Sequence, residues 1–283
     1  MAKKTYKVAD HIFSVCGETM CREISRIEGF RPFEVPEEPA DFAFIAEDSL
    51  PDSFTPQYSF DYEDVHGEFG STKEGFYLIQ KPAEEEPLYL WCSWGGSEVY
   101  FNGNLSIRLF RFGLWVGYGL MTAAKATVAI HSSCIVSNGK ATIFLGESGT
   151  GKSTHTRLWR ENIPGAWLLN DDSPIVRIID GTVWVYGSPW SGKTPCYKQE
   201  KYPLAACVRL SQAPYNKIHK LHVLKAYAAL HPSCPPEFAY DERIYSHISA
   251  TLGSVLKSVP CWWLECLPNA AAAHLSHNTI MPE

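Results

Sequence analysis

The chain has 283 residues, of which 45% are hydrophobic and 20% are charged, so it can bury a sizeable core without disulfide or metal staples. Its formal net charge of −6, from 25 basic and 31 acidic residues, argues against a nucleic acid or an anionic membrane as the main partner. The most apolar stretch, residues 109–121, contains Arg111 and is too short to span a bilayer. The composition therefore predicts a globular protein without a surface for binding nucleic acid or a membrane.

The nine cysteines form no Cys-x-x-Cys pair, and no basic, apolar leader follows the first residue. We therefore expect reduced thiols in a cytoplasmic protein, with most cysteines acting as small apolar side chains of the core.

Residues 1–103 are acidic and rich in Tyr, Phe, Val and Ile, and turn residues break them into short runs. The pattern predicts a β-rich N-terminal domain without a chemical motif, which would serve as a scaffold, in substrate recognition or in contacts of a homo-oligomer. Segments 34–39 and 81–87 contain Pro and Glu and are expected to be surface loops. The predicted strands are residues 6–15, 41–46, 75–80, 88–93 and 98–101.

Residues 104–283 form the second predicted domain. Asn104 is placed to cap a helix that runs to about residue 121. Two apolar runs follow, and Asn138-Gly139 between them favours the positive φ angles of a two-residue hairpin turn. The predicted elements after residue 121 are a hairpin of residues 128–136 and 141–145, a helix at 151–161, a strand at 166–169, a second hairpin of 174–179 and 182–186, a strand at 204–210, helices at 223–230 and 238–257, a strand at 259–264 and a helix at 269–277.

The clearest chemical signal is the segment GESGTGKS at residues 146–153, which matches Gly-x-x-x-x-Gly-Lys-Ser/Thr. In such a loop the glycines let backbone N–H groups converge on phosphate oxygens, Lys152 reaches the β- and γ-phosphates, and the Ser153 hydroxyl ligates Mg²⁺. The positive N-terminal end of the following helix adds to the attraction for phosphate. The motif predicts a site for the phosphates of a nucleotide with Mg²⁺, or Mn²⁺ in its place. The expected nucleotide-binding residues are Gly146, Glu147, Ser148, Gly149, Thr150, Gly151, Lys152, Ser153 and Thr154.

Asp171 and Asp172 end the next apolar strand, which is where a phosphate-bound metal needs a carboxylate, directly or through water. Two adjacent carboxylates can take different roles, since one can hold the metal while the other accepts a proton from an attacking hydroxyl. The alternative is a solvated Asn-Asp-Asp turn.

His131 lies near the start of the first hairpin, at the end remote from the Asn138-Gly139 turn. If the two strands of that hairpin pair, the start of the first strand and the end of the second lie at the same edge of the sheet. His131 should therefore lie beside the phosphate loop, where it would have either a metal-binding or catalytic role or a structural one.

The sequence does not decide the roles of two further features. Ser191 and Lys193, in the loop 187–194, could contact a phosphate or the acceptor, or the loop could be a plain turn. His155, in the helix after the phosphate loop, is expected at the surface.

A hairpin before the phosphate loop and another after the double Asp differ from the parallel sheet of most P-loop proteins. This arrangement, with a His before the first hairpin, resembles the phosphoenolpyruvate carboxykinase/HPr kinase superfamily. The resemblance covers residues 126–190 well, while the tail looks like small HPr-kinase-like proteins and residues 1–103 match no family. The segments that carry it are residues 130–134 (IHSSC), 144–153 (FLGESGTGKS) and 169–172 (LNDD).

The resemblance implies an α/β fold with a mixed, hairpin-rich sheet and an ATP- and Mg²⁺-dependent phosphoryl transfer. It implies that Lys152 binds the phosphates and that Ser153 and Asp172 hold the metal or its waters. Asp171 is the leading candidate for the general base, although the two Asp roles are not separated. His131 matches both the carboxykinase metal ligand and the HPr kinase histidine near the acceptor.

Two departures bear on the substrate. HPr kinase has Glu directly after the loop serine, whereas this chain has Thr154, which argues against the bacterial HPr substrate. The Arg-rich signatures by which carboxykinase holds its carboxylic acid are not evident, which argues against a decarboxylating lyase. The resemblance to short proteins of this superfamily implies a kinase acting on a serine-type hydroxyl of a protein, peptide or small molecule. The alternatives are a non-catalytic nucleotide-binding switch and, after it, the lyase.

Overall fold

The computed structural model describes residues 2–192 and 194–282, and the chain divides into two compact units. The first comprises the residues up to Ala124 together with Glu237–Tyr245, and the second comprises Lys125–Pro236 and the residues from Ser246 onward. Each unit contains a mixed β-sheet with helices, so the predicted mixed α/β class is confirmed at that level. The predicted boundary between residues 103 and 104 falls inside the first unit.

The first unit is built on a nine-stranded sheet of order β3-β1-β2-β4-β9-β8-β7-β6-β5. Its strands are β1 Lys3–Val8, β2 His11–Cys16, β3 Glu34–Val35, β4 Phe42–Ala46, β5 Thr55–Tyr62, β6 Val65–Ser71, β7 Gly75–Pro82, β8 Leu88–Ser93 and β9 Glu98–Gly103, and its helices are α1 Glu18–Ser25 and α2 Ile107–Thr122. Gly113 and Gly117 let α2 approach the sheet closely, because a Cβ at either position would come within 2.7 Å of the Phe101 or Phe44 ring. The sheet thus has one face covered by a helix.

Several predictions for this unit were wrong. The single strand expected at residues 6–15 is the hairpin β1–β2, whose turn residues Ala9 and Asp10 have φ of 48° and 59°. The expected loop at 34–39 begins with β3, and the loop at 81–87 begins with the end of β7. Asn104 does not cap α2, because the N-cap residue is Ser106, whose N–H donates to the Asn104 side chain. The other four predicted strands are confirmed, 88–93 with the predicted bounds and the other three with one end shifted by one or two residues.

The second unit contains a sheet of order β10-β14-β15-β16-β12-β11-β13, in which β16 also pairs with β18, and β18 with β17. The long strand β16 pairs antiparallel with β15 and parallel with β12 and β18. The strands are β10 Thr127–Ala129, β11 Ser132–Ser137, β12 Lys140–Leu145, β13 Trp167–Asp172, β14 Ile175–Ile179, β15 Thr182–Tyr186, β16 Lys201–Gln212, β17 Lys217–Lys220 and β18 Cys261–Cys266. The helices are α3 Lys152–Asn162, α4 Val223–Leu230, α5 Glu242–Ser258, in which the unit resumes at Ser246, and α6 Ala270–Ile280.

Most predicted elements of this unit are confirmed. Both hairpins have two-residue turns with positive φ, 51° and 69° at Asn138-Gly139 and 49° and 76° at Asp180-Gly181. Residues 238–257, predicted as one helix, instead form a 3₁₀ turn, Pro236–Tyr240, followed by α5, and β17 was not predicted. The remaining 3₁₀ turns of the chain are Glu28–Phe33, Ala123–Lys125 and His231–Ser233.

Helices α3 and α6 pack against the sheet through an apolar cluster that includes Phe144 and Trp159. His155 belongs to this interior and is only 2% exposed, so its expected surface position was wrong. Its ring lies 4.7 Å from that of Phe144, and its Nε2 lies 2.9 Å from the Ser276 hydroxyl. Removal from water lowers the pKa of His155 to about 4. In the part of the chain that the structure describes, no helix is long and apolar enough to cross a membrane.

Candidate functional site

Three strand ends meet at one edge of the sheet in the second unit. In the strand register, Ser132 at the start of β11 lies opposite Leu145 on one side and Asp172 on the other. His131 therefore adjoins both the loop that follows β12 and the double Asp that ends β13. The predicted placement of His131 beside the phosphate loop is confirmed.

The loop after β12 has the backbone that its glycines were expected to permit. Gly146, Gly149 and Gly151 have φ of 154°, 83° and 103°, which side chains with a Cβ rarely adopt. A Cβ at Gly146 would also lie 2.3 Å from the Thr150 hydroxyl. Gly151 is the N-cap of α3 and offers no side-chain cap. No side-chain cap therefore covers the first N–H groups of α3, which are of the kind that can bind an anion.

Lys152 directs its ammonium group back into this loop. Nζ donates to the backbone carbonyls of Gly146 at 2.7 Å and of Glu147 at 3.2 Å, and it lies 3.0 Å from Nε2 of His131. Burial lowers the pKa of Lys152, against the opposing pull of the neighbouring carboxylates. The ammonium thus lies inside the loop, held by two backbone carbonyls and the His131 ring.

The next residue connects the loop to the double Asp. The Ser153 hydroxyl donates to Oδ1 of Asp171 at 3.0 Å. Asp171 is only 6% exposed, whereas Ser153 is exposed. A hydroxyl and a carboxylate oxygen at this separation are hard oxygen donors of the kind that Mg²⁺ prefers.

Asp172 pairs with a different partner. Its Oδ1 lies 3.1 Å from Nδ1 of His131, and the two side chains are 35% and 48% exposed. Because a charged Lys152 ammonium can only donate, Nε2 of His131 must accept, and a neutral ring then carries its proton on Nδ1, beside Asp172. Lys152, His131 and Asp172 thus form a continuous polar chain along the mouth of the site.

Asp172 has a φ of 134°, a strained conformation for a residue with a Cβ, which costs on the order of 1–3 kcal/mol. The segment after β15 holds it there. Ser191 bridges to Asp172, and the N–H of Gly192 donates to the Asp171 carbonyl at 2.6 Å. A Cβ at Gly192 would lie 3.2 Å from that of Asp172, so the close approach favours glycine.

Ser191, in the loop 187–194, contacts backbone carbonyls of the protein itself. Ser191 is buried, and its hydroxyl lies 3.1 Å from the Asp171 carbonyl and 2.7 Å from the Thr194 carbonyl. It thus supports the double Asp from behind rather than facing the mouth of the site. Lys193 lies outside the described residues.

The sequence reasoning gave no role to Asn170, which is fully buried behind the two carboxylates. Its Nδ2 lies 3.2 Å from the Ser188 hydroxyl and 3.1 Å from the Trp190 carbonyl, and its Oδ1 accepts from the N–H of Ser173 at 3.0 Å. This network ties the end of β13 to the segment after β15. The sequence did contain one indication of this role, because Asn170 stands directly before two carboxylates at the end of an apolar strand.

Two other residues escaped the sequence reasoning. Arg209, opposite Leu145 in β16, pairs with the Glu147 carboxylate at 2.9 Å. Gln212 donates to the Gly149 carbonyl at 3.2 Å. Both brace the phosphate loop from the neighbouring strand. An arginine within an apolar strand was the signal for the first, while no signal marked the second.

The structure thus brings all predicted catalytic and metal-binding side chains to one edge of one sheet. Ser148 and Gly149 are exposed at the tip of the loop, and Thr154 lies half-buried in the first turn of α3. Within residues 2–192 and 194–282, no group of three or more His, Cys, Asp or Glu side chains is placed to hold a metal ion. The Ser153–Asp171 pair still fits Mg²⁺, because a phosphate-bound Mg²⁺ uses few protein ligands and fills its octahedron with phosphate oxygens and water.

No protein-family model matches the chain, and a search of curated proteins finds no matching sequence.

Proposed function

We propose that the chain is an ATP- and Mg²⁺-dependent phosphotransferase that passes the γ-phosphoryl group to a serine-type hydroxyl on a protein, peptide or small molecule. The observation that carries the proposal is the 3.0 Å contact between Ser153 and Asp171. It supports the proposal because a loop hydroxyl and a strand-end carboxylate are the oxygen ligands that the Mg²⁺ of a bound nucleotide would use.

Phosphate binding is assigned to the loop Gly146–Ser153 and to Lys152. The backbone N–H groups at the start of α3 meet the phosphates, and the Lys152 ammonium leaves its carbonyl contacts to neutralise them. Mg²⁺, when bound, withdraws charge from the phosphate oxygens in the transition state. The chain itself contributes position and charge rather than a covalent intermediate.

The geometry supports a division of labour between the two carboxylates. Asp171 lies with Ser153 and would hold Mg²⁺ or its waters, while Asp172 lies with His131 at the open mouth of the site. The acceptor hydroxyl would lose its proton to Asp172 as its oxygen bonds to the γ-phosphorus and the bond to the β-γ bridging oxygen breaks, leaving ADP. The reverse division, with Asp172 and His131 on the metal and Asp171 as the base, is the one implied by the family resemblance.

A phosphoenolpyruvate-carboxykinase-like P-loop fold for the second unit belongs to the same proposal. It is supported by a phosphate-loop strand that pairs antiparallel with the preceding β11 and parallel with β16. It is supported as well by the separation of β12 from the Asp strand β13 by β11. We further propose a cytoplasmic protein that acts without nucleic acid or membrane, alone or as a homo-oligomer.

A nucleotide-binding switch is the second candidate, since the same loop would bind ATP without transfer. The strained φ of Asp172 favours the enzyme, because a binding module has no need of a second, strained carboxylate beside a histidine.

The test is transfer of labelled γ-phosphate from ATP to water and to serine-bearing peptides in the presence of Mg²⁺. We expect slow hydrolysis that EDTA abolishes, together with faster transfer to a suitable acceptor. Tight ATP binding without release of phosphate under any of these conditions would instead identify the switch.

A further inference from the structure

Strand β5, Thr55–Tyr62, is the last strand of the first unit's sheet, and among the described residues it pairs only with β6. A bulge between Pro56 and Tyr58 interrupts the pairing near one end, and a turn of two residues, 63 and 64, closes it at the other. The regular part of this edge strand is therefore residues 58–62. No step of the proposed phosphoryl transfer uses it.

The open backbone groups of this segment belong to Ser59 and Asp61. In a hairpin with a two-residue turn, the residues that flank the turn exchange two hydrogen bonds, and bonded and non-bonded pairs alternate from there. Tyr62 and Val65 flank the turn, so residues 58, 60 and 62 bond to β6. Ser59 and Asp61 then direct their N–H and C=O groups away from the sheet, where they form a template for one more strand.

The side chains of the segment alternate symmetrically about Phe60. The sequence of residues 58–62 is Tyr-Ser-Phe-Asp-Tyr, in which aromatic and polar side chains follow in the same order from either end. The three aromatic rings form a row with centroids 5.7 and 6.1 Å apart, all half-buried, and the last two pack against Phe112 of α2. The two polar side chains are exposed on the opposite face.

This symmetry fits a second copy of the same strand. When two copies run antiparallel about a twofold axis at Phe60, Ser59 of each copy lies opposite Asp61 of the other, and the open backbone groups meet. Each of these two pairs exchanges two backbone hydrogen bonds, and the Ser59 hydroxyl can donate to the facing carboxylate. On the other face, Phe60 meets its own copy and Tyr58 meets Tyr62, so three cross-strand pairs of aromatic rings form.

The neighbouring registers are less favourable. A shift by two residues in one direction places the two Asp61 carboxylates opposite each other, and a shift in the other direction draws the bulge into the ladder. The Asp61 side chain is 80% exposed, and one of its oxygens lies 2.8 Å from Nδ1 of His66. Its second oxygen is left for the Ser59 hydroxyl of the second copy.

We propose that two copies of the chain associate through residues 58–62 of β5, paired antiparallel about Phe60, so that the sheet continues from one copy into the other. A contact of five residues a side is far smaller than the roughly 20–30 residues of a standard interface. We therefore expect a weak dimer, with a dissociation constant on the order of 10–100 μM. The inference is independent of phosphoryl transfer and holds whether or not the second unit proves to be a kinase.

The first measurement is sedimentation of the full chain over roughly 3–300 μM, a range that brackets the expected constant. Amide hydrogen exchange, followed by NMR at both ends of this range, locates the interface. The N–H groups of Ser59 and Asp61 should exchange more slowly at the higher concentration, whereas that of Phe60, bonded to β6, should be protected at both. A chain that stays monomeric throughout, or a dimer without this added protection, would overturn the proposal.

Charge variants test the register. Ser59→Asp places carboxylates opposite each other in both pairs and should weaken association by about tenfold or more. Adding Asp61→Lys to Ser59→Asp puts a carboxylate opposite an ammonium in both pairs and should restore association, which the neighbouring registers would not allow. Ser97→Asp, at an exposed position before β9 and away from the β5 edge, is the control and should change the dissociation constant less than about twofold. Association that Ser59→Asp does not weaken, or that the double variant does not restore, would contradict pairing about Phe60.

Discussion

The Ser153 hydroxyl lies 3.0 Å from Oδ1 of Asp171, 18 positions along the chain. Ser153 lies in the first turn of α3, after the loop that follows β12, and Asp171 lies at the end of β13. The two meet because the ends of β12 and β13 lie at the same edge of the sheet, on either side of the start of β11. It gives the two adjacent carboxylates different surroundings: Asp171 is buried against the phosphate loop, whereas Asp172 faces His131 and solvent. Different surroundings are what two adjacent carboxylates need to take different roles.

Replacing Lys152 with Met should weaken ATP binding by about 10- to 100-fold, the usual value of one charge-assisted contact. The unfolding free energy should change little, since the ammonium contacts only two loop carbonyls and His131 among the described residues. Calorimetric titration with Mg²⁺·ATP measures the first and thermal unfolding the second. Lys140→Met is the matched control, because Lys140 is exposed at the far end of the same hairpin. Unchanged ATP affinity in Lys152→Met would exclude Lys152 from phosphate binding.

Replacing His131 with Ala should raise the concentration of Mg²⁺ or Mn²⁺ needed for half-maximal turnover, or lower turnover at saturating metal. Both effects follow from the loss of the side chain that contacts Asp172 and Lys152. Stability should stay within about 0.5 kcal/mol, because the ring is half exposed. His219→Ala, at an exposed position of β17, is the control. A fall in melting temperature with unchanged metal dependence would assign His131 a structural role.

Glu237 makes the first unit sensitive to pH. The carboxyl is 4% exposed, and its Oε2 has no hydrogen-bond partner among the described residues. Burial raises the pKa of Glu237 to about 7 from an ordinary 4.5. The folded state therefore holds a proton that the unfolded state releases, and this group's stabilising contribution is lost as pH rises from 4.5 to 7.

Glu237→Gln should therefore be more stable than the wild type at pH 8, by an amount on the order of 3 kcal/mol, and nearly equal to it at pH 4. Denaturant unfolding at both pH values measures the difference, with Glu84→Gln as an exposed control. A difference that does not change with pH would show that Glu237 does not titrate in the folded state.

His155 acts in the opposite direction. Its pKa is lowered to about 4 in the folded state from 6.5, so the unfolded chain binds the extra proton first as pH falls. Stability is then lost between pH 6.5 and 4, by roughly 3 kcal/mol in total. In His155→Leu this part of the pH dependence should disappear, whatever the variant costs at neutral pH through the lost Ser276 contact. Parallel pH profiles for the two proteins would contradict a buried, neutral histidine.

The sequence predicted most elements of the second unit because its hairpin turns contain residue pairs that are typical of such turns. Asn138-Gly139 fixes the first hairpin, and the hairpin register in turn places His131 beside the loop. The first unit was harder, since Ala9-Asp10 contains no glycine and looked like the middle of one long strand. Strand β5 was missed because Pro56 and several polar residues interrupt its alternating aromatic side chains. The brace between Arg209 and Glu147 and the strained backbone of Asp172 depend on packing between distant segments, which local patterns do not encode.

The most direct test of the account is one comparison of ATP affinity and ATP turnover, with Mg²⁺, in the wild type, Asp171→Asn and Asp172→Asn. We expect the wild type to convert ATP to ADP. Asp172→Asn should bind Mg²⁺·ATP with nearly unchanged affinity and lose turnover, while Asp171→Asn should also need more Mg²⁺ for binding. The reverse pattern would exchange the roles of the two carboxylates. Equal ATP affinity in all three proteins, with no turnover in the wild type across a range of serine-bearing acceptors, would contradict the phosphotransferase and leave a nucleotide-binding switch.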